Sequence, residues 1–265
     1  MTIDADHTLQ RVVLCGASGT LGRAIAAKMS AEGNRLALLG RDRRALSSLI
    51  EQLPATADMP PHRPIECDLS RPESVDAAIQ TAEHELGGID VFISAAGAAQ
   101  GGIFWELDDA AWQRNLDIKL FGNLRAIRAV IPRMIHAKHG RIVLIAGNSA
   151  AKPDPRMLPG AAANAALLAI VKGLADELTP HGITINAVNP GPVRSARFES
   201  LMNAEAARSH ITAKEAEMRF LARSGLRALV TAEDVATQVA HLASSVSTSP
   251  NGSSITIENV AITPP

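Results

Sequence analysis

Gly16, Gly19 and Gly22 stand three apart in the stretch RVVLCGASGTLG (residues 11–22), a spacing that can hold a phosphate. Glycines let a turn be tight and let backbone N–H groups approach a pyrophosphate with no Cβ between them. The apolar residues Val12 to Cys15 read as a short buried strand, and Leu21, Ile25 and Met29 recur at helical spacing. Strand, glycine turn and helix in this order form a dinucleotide-binding fingerprint, with the positive end of the helix aimed at the phosphates. Ser18, Thr20 and Leu21 complete the turn. At the end of the second expected strand, where an NAD-binding chain usually carries an acid, this one has Gly40 followed by Arg41. A guanidinium offers a planar fork to a ribose 2′-phosphate, and Ser18 can add a hydroxyl, so the expected cofactor is NADP(H) rather than NAD(H). The chain contains no tyrosine, so no phenol is available as an acid or base.

The elements that must position these residues follow from pattern and punctuation. Strands are expected at about 11–15, 35–39, up to Cys67–Asp68, 89–94, 141–146, 183–188 and 253–258. Helices alternate with them. One covers about 20–32, one follows an Asp42 N-cap, and one runs from Pro72 to Leu86, where Gly87 and Gly88 break it. A long helix covers 108–136, an alanine-rich one 160–179, and a last one follows the capping box Thr231–Asp234. Residues 1–10 read as a loose tail, and 192–225 as an irregular, partly helical stretch. Alternation of this kind means an open parallel sheet covered on both faces, with ligands bound beyond the carboxyl ends of the strands. Cys15–Gly22, Gly40–Arg41, Asp68, Ser94–Gly97, Gly147–Ser149 and Asn189–Ser195 should therefore converge on one crevice.

The chain has 265 residues, is 46% hydrophobic and carries a net charge of −1, which suits one sizeable α/β domain and gives no bulk field for nucleic acid or anionic membrane. Its two cysteines, Cys15 and Cys67, read as buried free thiols of a reducing compartment. The polar, acidic N-terminus does not resemble a signal peptide, and no apolar run approaches the roughly 18 residues of a membrane span, so the expected location is the cytoplasm.

The strand-end residues resemble the short-chain dehydrogenase/reductase family over nearly the whole chain. The resemblance rests on Gly16-x-x-Gly19-x-x-Gly22, Cys67–Asp68–Leu69, Ala95–Ala96–Gly97, Asp117–Gly122 (DIKLFG), Asn189–Val193 (NPGPV) and Arg227 with Glu233–Ala236 (EDVA). It implies a Rossmann-type doubly wound parallel sheet in three α/β/α layers as a single domain, an NAD(P) cofactor, hydride transfer at a carbonyl or alcohol carbon, and a dimer or tetramer. It also implies that Asp68 touches the adenine and that Leu69, Ala95, Ala96, Gly97, Pro190, Gly191 and Val193 line the cofactor. Ser195 would hold the nicotinamide carboxamide. The family's catalytic Asn, Ser, Tyr and Lys fall on Lys119, Gly147, Gly160 and Asn164: the spacing is kept and all four side chains differ. The Asn and Lys look exchanged, with Asn164 left to bond the ribose and Lys119 to supply the positive charge and the proton. Ser149, two residues past the usual serine, offers a hydroxyl to a substrate oxygen.

The expected activity is hydride transfer between NADP(H) and a small, fairly apolar carbonyl or alcohol, with a rebuilt proton-donor site. Ile103, Phe104, Trp105, Met157, Leu158, Phe198, Leu201 and Met202 are the candidate apolar lining, with a lid over about 192–225 that includes His210. Lys152, Asp154 and Arg156 form a polar loop on the substrate side. Two other readings stand beside it. One is an NADP(H)-binding sensor or partner protein without turnover; the other is a lyase or hydratase on the same scaffold.

Overall fold

Strand residues alternate between two apolar layers, because successive side chains leave a strand on opposite faces. Val13 and Cys15 of β1 (Arg11–Cys15) pack with α3 (Pro72–Leu86), α5 (Gly122–Ala137) and α6 (Leu158–Leu178). Val12 and Leu14 pack with α1 (Thr20–Ala31), α2 (Arg43–Gln52) and α9 (Ala232–Ala243). The computed structural model describes residues 9–54, 61–97, 101–244 and 251–260.

The remaining strands are β2 (Arg35–Gly40), β3 (Arg63–Glu66), β4 (Val91–Ser94), β5 (Gly140–Ile145), β6 (Ile183–Pro190) and β8 (Ser254–Ile257). With β1 they form one parallel sheet in the order β3-β2-β1-β4-β5-β6-β8. The strand order reverses between β1 and β4, the switch point at which such sheets open a ligand crevice. This is the doubly wound, three-layer architecture expected from the sequence. Asp42 caps α2 by accepting from the amides of Arg44 and Ala45, and Thr231 with Asp234 forms the capping box of α9. Pro72 opens α3, and Gly87 closes it in the left-handed region.

Several boundaries differ from the expectation. The long helix is α4 (Asp109–Leu116) and α5 joined through a π-helical turn, Asp117–Phe121, whose extra residue hydropathy periodicity does not reveal. The stretch 192–225 resolves into α7 (Ala196–Ser209) and α8 (Ala213–Ser224). After it, β7 (Leu226–Ala228) pairs antiparallel with β9 (Asn259–Val260), outside the parallel sheet. Gln10 is no loose tail: it is buried, its amide donates to Asn34 Oδ1 and its side chain donates to the Ala243 carbonyl. Residues 1–8 of the expected tail, and 98–100, lie outside the described residues. The stretch Leu158–His181 does reach spanning length, with a mean hydropathy of 1.5. Its Leu167, Val171, Ala175 and Leu178 are buried against the sheet, so its apolarity belongs to a core helix.

At the strand end remote from the crevice, buried His62 joins three elements. Its Nδ1 accepts from the Leu36 amide at 3.2 Å, and its Nε2 lies 2.9 Å from Ser30 Oγ, which donates to the Pro54 carbonyl. Nδ1 must stay unprotonated, and burial lowers the His62 pKa below 6.5; His139 is lowered too, first by burial and then by Arg141. The unfolded chain therefore takes up these protons first, and stability is lost as pH falls through about 6.5 toward the folded values. Urea unfolding should show a falling midpoint from pH 7.5 to 5.5. His62→Ala should lose roughly 1–3 kcal/mol at pH 7.5 and flatten that slope. A pH-independent wild-type midpoint would contradict this.

Candidate active site

At the carboxyl ends of β1 and β2 the glycine turn is packed to its limit. Gly16 has φ +74°, and a Cβ there would lie 2.7 Å from the Ala96 amide nitrogen. A Cβ on Gly22 would lie 2.1 Å from the Gly16 carbonyl oxygen, so α1 can approach the turn only as glycine. Gly19 is the N-cap of α1 and is exposed, and no side chain caps its amides. Those amides are left for an anion.

The crevice beyond this turn is lined by Gly16, Ser18, Gly19, Arg41, Asp68, Leu69 and Ala95–Gly97, with Cys15, Leu39, Gly40, Cys67 and Ile118 completing it. Arg41 is exposed on its rim. A Cβ on Gly40 would lie 3.7 Å from Ser18 Oγ, so the hydroxyl sits at the end of β2, beside the residue that precedes Arg41. Asp68 Oδ1 accepts from the Ser70 amide at 3.0 Å and the Ser70 hydroxyl at 2.8 Å. These bonds, with Arg41 and Arg71 nearby, hold the carboxyl below its usual range. Asp68 thus both forms a turn and faces the crevice. The thiols of Cys15 and Cys67 are free and buried; burial raises both, Cys67 to about 11.

Ala95 and Gly97 also belong to an adjoining recess, with Leu21, Lys119, Ile145, Ala146, Gly147, Gly160, Asn164, Pro190, Gly191 and Val193. The π-helical turn presents Lys119 to it. Asn123 Nδ2 donates to the Lys119 carbonyl, and Arg125 holds both the Asp117 carboxylate and the Leu69 carbonyl. Lys119 Nζ donates to the carbonyls of Ile145, the last paired residue of β5, at 2.7 Å and of Ala146, the next residue, at 3.3 Å. No carboxylate pairs with it among the described residues, and removal from water pulls its ammonium down from 10.5 to about 8. Nζ would stand 3.0 Å from a Cβ on Gly97, so a side chain there would occupy the space beside the ammonium.

On the opposite wall Asn164 is buried in α6. Its Nδ2 donates to Ser149 Oγ at 2.9 Å, while its Oδ1 has no hydrogen-bond partner. Gly147 has φ +152° and ψ 148°, a backbone state essentially confined to glycine, and its Cβ would meet Asn164 Nδ2 at 2.8 Å. Asn164 fills the space that a side chain at 147 would take. Ser149 Oγ stands at the margin of the recess, bonded to Asn164 and 3.9 Å from where a Cβ on Gly147 would lie.

Other expected residues go elsewhere. Ser195 caps α7, accepting from the Phe198 amide and lying 3.3 Å from the Val193 carbonyl. Thr20 is exposed at the start of α1. Part of the expected apolar lining is spent on packing or lies at the surface. Phe198 packs edge-on to Phe220 at 5.2 Å between α7 and α8, Phe104 packs on Trp112, and Trp105 is 83% exposed. Exposed His210 ends α7. Ile118, Ile145, Ala146 and Arg125 are site residues that sequence reasoning missed. The first three could be read only as apolar core, and Arg125 as a surface helix cation. The uncapped α1 amides, the closed glycine turn and the unpartnered Asn164 Oδ1 together fit a dinucleotide in the crevice.

Residues 10–206 match the family model described as short chain dehydrogenase. Nodulation protein G of Rhizobium sp. (strain N33) is 31% identical over 89% of this chain and 90% of its own length. The crystal structure of a single-residue variant of actinorhodin polyketide ketoreductase with NADPH superposes with a TM-score of 0.86 at 26% identity, covering 94% of this chain and 96% of that one. An NAD⁺-bound xylitol dehydrogenase has the same fold, with a TM-score of 0.83 at 24% identity over 94% and 97%. With its glycine cradle, parallel sheet and strand-end crevice, the chain belongs to the short-chain dehydrogenase family.

Proposed function

We propose that this chain is an NADP(H)-dependent short-chain oxidoreductase acting on a small, fairly apolar carbonyl or alcohol, with Lys119 as its proton donor. The observation that carries the reading is Lys119 Nζ in the recess: a cation held by two backbone carbonyls with no carboxylate partner among the described residues, which removal from water pulls down to about 8. A general acid works best when its pKa lies near the working pH. The nicotinamide supplies hydride exchange at the substrate carbon. Lys119 gives a proton to the substrate oxygen on reduction, while the Ile145 and Ala146 carbonyls hold its other two N–H groups. Ser149 accepts from Asn164, which leaves its own hydroxyl proton free for the same oxygen. Asn164 Oδ1 accepts from a ribose hydroxyl. The apolar walls, Leu21, Ile145, Pro190 and Val193, favour a substrate with little charge of its own.

Both NADPH and NAD⁺ occur in neighbours of this fold, so the nucleotide preference rests on this chain's own rim. Arg41 and Ser18 line the crevice at the end of β2 and support a 2′-phosphate site there, and Asp42, the acid next to Arg41, is committed to capping α2. A cytoplasmic dimer or tetramer is part of the same proposal and rests on the family relation. The rival reading, a nucleotide-binding protein without turnover, is favoured by the absence of tyrosine. Nucleotide consumption separates the two.

In fluorescence titrations, Arg41→Ala should weaken NADPH about 10- to 100-fold and leave NADH nearly unchanged; equal losses would count against a 2′-phosphate site. Lys119→Met should keep NADPH binding and lower carbonyl reduction by about 10²- to 10⁴-fold. Turnover at the wild-type rate would remove Lys119 from the chemistry.

A further inference from the structure

Glu258 follows β8 at the edge of the sheet, far in sequence from every site residue. Its side chain is only 8% exposed. Asn148 Nδ2 donates to its Oε1, and Lys152 Nζ donates to its Oε2 at 2.8 Å. Both donors sit on the loop after β5, one on each side of Ser149. The same loop is wound into a turn by the Asn148 carbonyl, which accepts from the amides of Ala151 and Lys152. On its inner side Ser149 Oγ is held by Asn164.

The other wall converges on the same carboxylate. The amide of Gly191, a residue of the recess, donates to the Ile257 carbonyl at 2.8 Å. A Cβ on Gly191 would lie 3.1 Å from Glu258 Cγ and 3.7 Å from Asn148 Nδ2. Glu258 therefore stands directly behind Gly191 and spans from the end of β6 to the loop after β5. A buried carboxylate is tolerated only when its oxygens are bonded, and here both are bonded to one loop. The Lys152 and Asn148 bonds hold its carboxyl below the usual range, so it stays ionised at neutral pH.

We infer that Glu258 is a positioning residue: a latch from the C-terminal strand that fixes the loop 147–152 and so sets Ser149 against Asn164 and the reacting oxygen. The inference rests on the proposed oxidoreductase reading for its kinetic consequence, and on the contacts alone for the latch. Because it acts on the substrate side, it governs turnover and substrate KM rather than nucleotide affinity.

The test uses the full-length protein and two independent readouts. Glu258→Gln keeps the shape of the side chain and removes its charge; Lys152→Met removes one partner from an exposed position and buries nothing. The first readout is limited trypsin cleavage at exposed Arg156, next to the loop; the Lys152–Pro153 bond resists trypsin. The second is the kinetics of NADPH-dependent reduction of a small ketone. Glu258→Gln should cleave faster at Arg156, keep its NADPH dissociation constant, and lose kcat by about tenfold or more. In a Ser149→Ala background the same substitution should cost little further kcat, since Ser149 is already gone. Lys152→Met should show a smaller effect of the same kind. Unchanged cleavage in Glu258→Gln would overturn the latch, as would faster cleavage with unchanged kcat. Collapse of NADPH binding together with kcat would mark a general structural role and overturn the positioning claim. A wild type that binds NADPH and reduces no carbonyl would defeat the oxidoreductase reading by itself, and trypsin cleavage would still decide the latch.

Discussion

One half-buried cation sets the terms for the rest of the site. Lys119 Nζ is held by two backbone carbonyls at the end of β5 and by no carboxylate among the described residues. Carbonyl dipoles offset only part of what the ammonium loses on leaving water, which is why its pKa falls to about 8. Holding it there takes several features at once. The π-helical turn swings residue 119 toward β5, Asn123 and Arg125 fix that turn, and Gly97 leaves room for the side chain. Any side chain at 97, or a regular α-turn at 117–121, would displace the ammonium.

The opposite wall is built as a complement. Gly147 adopts a backbone state that excludes a side chain, and Asn164 uses the space. The amide of Asn164 spends its donor on Ser149 and keeps its acceptor unpartnered. A donor-rich wall at Lys119 thus faces an acceptor at Asn164 across a recess with apolar sides. That recess continues into the glycine cradle through Ala95 and Gly97, so a dinucleotide and a small substrate would share one channel.

Much of this was legible in the sequence because its causes are local. The Gly16–Gly22 turn, the Asp42 cap and the Thr231–Asp234 box are each set by residues within one turn of the chain, and each was found as expected. The alternation of strands and helices carried the sheet. What escaped depends on distance or on a small irregularity. A π-turn inserts one residue without altering the hydropathy pattern, so the long helix read as regular. Glu258 meets its partners across more than a hundred residues, and nothing in IENV (residues 257–260) marks it. The expected apolar lining was ambiguous in sequence, because an apolar side chain such as Phe198 serves helix packing as readily as a pocket.

The central claim is that Lys119, as an ammonium, delivers the proton. Its most direct test is the pH dependence of kcat for NADPH-driven reduction of a small ketone, from pH 6 to 10, using saturating nucleotide. An ammonium donor is active below its pKa, so kcat should hold at low pH and fall as pH rises through about 8. A profile with no alkaline limb near that value, at a rate well above background, would contradict the account and place the proton donor elsewhere.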